Sequence, residues 1–174
     1  MRKTILTILA LAPLLAACGA VEEPLLPELK GKWAPPTIAQ AMLSDQMRTQ
    51  KVSATPAKED KNFCRILSVN FTKQRINMSL LGFNVPVFNI RGVKREGNRV
   101  IITGNADIDT SAAAQGKLVL LVRNGEVRFD DIYDQTGRSI RYERLPEDHK
   151  MRKHGANTLG DAMKLILDVK PCPA

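Results

Sequence analysis

Residues 117–133 read KLVLLVRNGEVRFDDIY. A run of leucine and valine precedes Asn124-Gly125, and a run carrying Val127, Phe129, Ile132 and Tyr133 follows it. A two-residue hairpin of type I′ needs positive φ at both central positions, which this pair adopts readily. The stretch therefore predicts a β-hairpin and makes strand pairing the basis of the fold.

The sequence on either side continues the pattern. FCRILSVNF (63–71) sets Leu67, Val69 and Phe71 against Ser68, Asn70 and then Thr72, the alternation of a half-buried strand. INMSLLGF (76–83), VPVFNIRGV (85–93) and the β-branched RVIITGNADID (99–109) follow, with a turn centred on Gly97-Asn98. Downstream, DQTG (134–137) turns into RSIRYERL (138–145), a further expected strand. Strands at this spacing predict a β-rich α+β fold: an antiparallel meander sheet or small barrel of about six strands.

Helices are expected on both flanks of the meander. IAQAMLSDQMRTQ (38–50) carries Ile38, Met42 and Met47 at helical spacing, a short N-terminal helix, and the polar stretch 51–62 reads as a loop. Near the C-terminus, Thr158 precedes LGDAMKLIL with Asp161 three residues on, resembling a capping box. Leu159, Met163, Ile166 and Leu167 share one face, so this helix should pack on the sheet, with Pro171 as its stop.

The first twenty residues, MRKTILTILALAPLLAACGA, have another character. Arg2 and Lys3 precede an apolar run from Ile5 to Leu15, the length of an export signal and too short to span a bilayer. Leu15-Ala16-Ala17-Cys18 resembles the lipobox of bacterial lipoproteins. That resemblance implies cleavage before Cys18, a diacylated Cys18 thiol and a periplasm-facing protein anchored in the cell envelope. The absence of aspartate after the cysteine (Gly19 stands there) points to the outer rather than the inner membrane. Each buried acyl methylene contributes about 0.8 kcal/mol, so two or three chains make a durable anchor where one would not. The expected organisation is a signal peptide at 1–17, a lipid-attached tether at 18–28 (GAVEEPLLPEL follows the cysteine) and one domain at 29–174.

Without the leader, 24 basic residues face 18 acidic ones, a net charge of +6. That balance favours anionic surfaces such as lipid headgroups or an acidic envelope partner. Nucleic acid is set aside, because export removes the protein from it and no nucleic-acid-binding motif is present. Cys64 and Cys172 form an even pair in an exported domain and read as a disulfide, the other reading being two buried thiols.

Candidate chemistry is sparse. His149 and His154 lie five apart in HKMRKH, without the HxxxH spacing of a helical metal site, so no metal and no cofactor are expected. Asp107 and Asp109 would share one face of a strand, as a paired-carboxylate hydrolase requires, and are equally ordinary at a strand end. Asp130, Asp131 and Asp134 lack the glycine-turned spacing of a calcium loop. Lys94, Arg95 and Arg99 flank one turn, while Arg138, Arg141 and Arg144 lie on or beside the last expected strand; together they are candidates for contact with an anionic surface. Leu29-Lys30-Gly31-Lys32-Trp33 resembles the LxGxW entry of lipocalin-like barrels, where a tryptophan plugs one end; a core tryptophan after a turn is the alternative. The sequence expectation is a non-enzymatic binding or assembly protein, with a lipocalin-like carrier of a small apolar ligand or an envelope hydrolase as rivals.

Overall fold

The computed structural model describes residues 23–36, 64–106 and 116–172. Eight strands among these residues form one antiparallel sheet: β1 (Lys32–Ala34), β2 (Leu67–Phe71), β3 (Arg75–Leu80), β4 (Phe83–Glu96), β5 (Arg99–Ala106), β6 (Gly116–Arg123), β7 (Glu126–Asp134) and β8 (Lys170–Pro171). A nine-residue helix, α1 (Leu159–Leu167), precedes β8.

Strands β2 to β7 are the expected six-strand meander, each paired with its sequence neighbour. The count rises to eight because two short segments, β1 and β8, pair with each other and extend the sheet beyond β2. Neither carries a strand signal, since each is only two or three residues long and takes its conformation from its partner. RSIRYERL is no strand: Ser139 and Arg144 make single bridges, to Tyr133 and Thr158, and the rest runs as turns. Leu81 and Gly82 form a turn inside the run read as one strand, and β4 then runs for 14 residues with register shifts at Val87 and Arg91.

The sheet curls into a half-barrel. Its two outer edges meet through the C-terminal segment, because Val169 exchanges backbone hydrogen bonds of 3.0 and 2.8 Å with Val127 of β7 while the next two residues pair with β1. Cys64 and Cys172 are joined as a disulfide, their Cα atoms 5.8 Å apart, and the Cys172 amide donates to Lys32 O.

Period-two burial fills the concave side. Val69 and Phe71, Val100 and Ile102, Leu118 and Leu120, and Val127 and Phe129 are buried there. Helix α1 adds Leu159, Ala162, Met163, Ile166 and Leu167 to the same core. Its capping box is formed as expected: Asp161 N donates to Thr158 Oγ1 at 3.1 Å, and Thr158 N donates to Asp161 Oδ2 at 3.0 Å. The helix ends at Leu167 with Asp168 as C-cap, three residues before the expected stop; Pro171 lies in β8.

Residues 23–28, read as part of a tether, lie against the sheet. Pro24 bridges Thr72, the Leu25 amide donates to Phe71 O, and Leu25 is buried. Leu29 and Trp33 are buried in the core, with Trp33 Nε1 donating to Leu29 O at 3.2 Å and the indole edge-on to Phe71. The turn between them needs glycine, since Gly31 has a φ of 101°. The expected helix over 38–50, the loop 51–62 and Cys18 fall outside the described residues.

Candidate functional site on the convex face

The residues that alternate with the core positions face outward. On β5 these are Arg99, Ile101 and Thr103, opposite Leu121, Val119 and Lys117 of β6. Arg99, Ile101, Thr103, Lys117 and Val119 line a groove of about 640 Å³ with Val93 and Lys94 of β4 and Tyr133 of β7. Ile101 and Val119 make an apolar floor, Lys94, Arg99 and Lys117 with the one carboxylate Glu96 a mainly basic rim, and Tyr133 one wall.

A β-bulge builds that wall. Val119 pairs with Asp131 and Leu120 with Phe129, so Asp130 is an extra residue on β7. Arg99 Nη2 donates to Asp130 Oδ2 at 2.9 Å, and Arg141 Nη1 donates to Asp130 O at 2.8 Å. The Arg141 guanidinium also lies 5.9 Å from the Phe129 ring centroid and 5.3 Å from that of Tyr142. Asp131 Oδ1 accepts from Ser139 Oγ at 2.7 Å. The Tyr133 phenol is held above its ordinary pKa, first by its hydrogen bond to Asp131 and then by desolvation. It therefore stays a protonated donor throughout the physiological range.

The Asp134 carboxylate closes the DQTG turn. Its Oδ1 accepts from Thr136 Oγ1 at 2.6 Å, Thr136 N at 2.9 Å and Arg138 N at 3.0 Å. These donors hold its pKa down to about 2, the Thr136 hydroxyl making the largest contribution. All three aspartates weighed as calcium ligands are thus engaged by protein donors.

Of the six cations named from the sequence, the structure brings Lys94 and Arg99 together on the groove. Lys94 pairs with Glu96 at 2.7 Å. Arg95 takes part in a separate cavity of about 400 Å³ near Trp33, where it pairs with Glu28. Arg138 bridges Asp134 at 3.3 Å and Glu143 at 2.8 Å, Arg141 sits on Asp130, and Arg144 is an exposed residue bridging Thr158 through its backbone. Lys117 is not among the cations the sequence singles out, yet it lines the groove and has no acidic partner among the described residues. Its exposed position opposite Thr103 in the KLVLLVR run is the signal that marks it.

No protein family, curated protein or solved structure matches the chain.

What the groove can do chemically follows from its walls. Lys94 and Arg99 are paired with Glu96 and Asp130, and the Tyr133 proton is held by Asp131, so Lys117 beside the apolar floor is the cation open to a ligand or peptide with an anionic group next to a short apolar stretch. His149 and His154 lie away from it: His149 Nδ1 accepts from Met151 N at 3.2 Å, capping the 3₁₀ turn Lys150–His154. Among the described residues, no group of His, Cys, Asp or Glu has the arrangement of a metal site. Asp107 and Asp109 lie outside the described residues.

Proposed function

We propose that the protein is a lipid-anchored, periplasm-facing envelope lipoprotein with a non-enzymatic binding or assembly role, exercised through the convex groove. One observation carries this reading. Of three cysteines, Cys64 and Cys172 are joined to each other, which leaves Cys18 as the one remaining thiol, and it stands directly after Leu-Ala-Ala at the end of an apolar run. A disulfide also fits an oxidising compartment. The outer membrane is favoured by Gly19, as set out above.

The groove supports binding more than turnover. Asp130, Asp131 and Asp134 already accept hydrogen bonds from protein donors, and the Tyr133 phenol is held protonated, while Lys94, Arg99 and Lys117 surround an apolar floor. An anchored protein meets membrane-bound partners at high effective concentration, so modest affinity suffices. Carriage of an apolar ligand inside a lipocalin-like barrel is less favoured, because Trp33, Phe71, Phe88, Leu120 and Met163 fill the concave side.

Two measurements test the reading. Mass spectrometry of protein from its native host should find acyl chains on Cys18 and no residues before it; a bare thiol with the leader attached overturns the anchor. Crosslinking in cells should recover one envelope protein, and the recovery should fall in Cys18→Ala and in Lys117→Glu. Recovery of a small apolar molecule instead would favour carriage.

A further inference from the structure

The β3–β4 turn has the wrong chemistry for its geometry. Leu81 has a φ of 50° and Gly82 of 87°, the same two left-handed positions as Asn124 (53°) and Gly125 (72°). The left-handed region suits glycine and asparagine and is costly for leucine. The turn also projects its apolar side chains: Leu81 is 62% exposed, Phe83 77% and Val85 42%. The tip is not loose. Its strands pair from Leu67–Leu80 and Leu80–Phe83 onward, and the Leu81 amide donates to Ile66 O at 2.7 Å.

The surroundings of the tip are basic. Arg65 is exposed next to Ile66. Met151 packs with Leu80 against Leu67, which brings the turn Lys150–His154 to this end, with Lys150 and Lys153 exposed. Arg65, Lys150 and Lys153 have no ion pair among the described residues; Glu147 and Asp148 are the nearest acids in sequence to the two lysines.

We propose that the Leu81–Phe83 tip is a second, non-covalent membrane contact, inserting Leu81 and Phe83 into the interfacial layer of an anionic bilayer while Arg65, Lys150 and Lys153 meet the lipid phosphates. An exposed apolar tip ringed by cations has the composition of an interfacial anchor. The reach is adequate, and this step rests on the lipoprotein reading. Glu23 sits at the Thr72–Lys73 turn, beyond the opposite end of β3, about 26 Å from Leu81 at 3.3 Å per residue. The five residues 18–22 can span about 17 Å, so an acylated Cys18 and the tip can meet one bilayer with β3 inclined to it.

The test uses the full chain carrying Phe83→Trp, reconstituted in vesicles of phosphatidylcholine with about one third phosphatidylglycerol, their acyl chains brominated near the headgroup. The indole introduced at position 83 should emit at shorter wavelength than in water and be quenched by bromine, whereas Trp33, buried in the core, should not respond in the parent. Adding Leu81→Asn should abolish the quenching while leaving the fold intact, since Asn-Gly is the preferred pair for this turn. Each cation near an anionic surface is worth about fivefold in binding, so Arg65→Gln, Lys150→Gln and Lys153→Gln together should weaken the contact about a hundredfold. A water-exposed, unquenched indole in the Phe83→Trp chain overturns the proposal. So does short-wavelength emission that bromine leaves unquenched, which would mean that protein covers the tip: residues 37–63 or a second copy. With the sample prepared from the native host, mass spectrometry separates the two readings, because quenching with an unmodified Cys18 upholds the tip contact and removes the anchor.

Discussion

Cutting the Cys64–Cys172 bridge is the perturbation whose size the fold determines most directly. The bond joins residues 108 apart, from just before β2 to just after β8, so it encloses nearly all of the sheet. Loop-closure entropy assigns a loop of that length about 4.8 kcal/mol at 25 °C, drawn from the unfolded chain. For a domain of this size, that loss should lower Tm by about 10–20 °C. The pair Cys64→Ser and Cys172→Ser, with Cys18 left in place, should be compared with the parent by urea titration and by thermal melting followed by circular dichroism. The chain without the bridge should also show a steeper urea dependence, because its unfolded state exposes more surface. Hydrogen exchange should reveal where the native state loosens first. The amides of Cys172 and Val169, bonded to Lys32 O and Val127 O, should lose protection while Val100 and Leu120 in the central strands keep theirs. A fall in Tm of only two or three degrees, with an unchanged urea slope, would refute the reasoning and mean that edge pairing alone holds the tail.

Three further outcomes are expected. Gly116→Ala should cost more than about 2 kcal/mol in urea unfolding, because a Cβ there would lie 1.8 Å from Tyr133 O and the backbone of β6 and β7 would have to part. Leu81→Asn should raise stability by about 0.5–1 kcal/mol in the same assay, since it relieves leucine of a left-handed conformation. Stability should fall as pH drops from about 5 towards 2: Asp134, held at about 2, and Asp161, held below its ordinary value first by the Thr158 hydroxyl, stabilise the fold only while ionised. Asp168 has the opposite sign, because burial raises its pKa and its charge costs stability above that value. Asp168→Asn should therefore raise Tm at pH 7 while keeping an acceptor for Phe129 N, and the gain should vanish near pH 3.

The parts of the fold legible in the sequence are those where a local signal and the tertiary demand coincide. Asn124-Gly125, the strand over 67–71 and the capping box at Thr158 each required only neighbours within a few residues, and each formed, although the expected half-buried alternation did not, since Ser68 and Thr72 are buried too. What was not legible depended on partners far along the chain. Strands β1 and β8 carry too few residues for a period and exist because Lys32–Ala34 lies between β2 and the C-terminal segment. RSIRYERL has the composition of a strand, but Arg141 turns back onto Asp130 and the Gly160 amide donates to Arg141 O, so no ladder forms. The groove was hidden for a related reason. A period-two reading sends Asp130 and Asp131 to opposite faces, and the bulge that lets both serve the convex wall is a property of the β6–β7 pair, invisible in β7 alone.

Two turns of the same hand make the remaining distinction between structure and function. At 124–125 the residues are those the backbone prefers, and the turn needs no reason beyond folding. At 81–82 the backbone takes the same conformation with leucine in the place of asparagine, so the local preference and the observed residue disagree. Packing does not resolve the disagreement, because Leu81 and the neighbouring Phe83 face solvent rather than the core. A residue that neither its own turn nor the interior favours has its value outside the molecule. The basic residues around it narrow that outside to an anionic surface. A sequence read for strand propensity alone treats LLGF as more of the same strand, which is why the tip is absent from any list of candidate sites drawn from motifs.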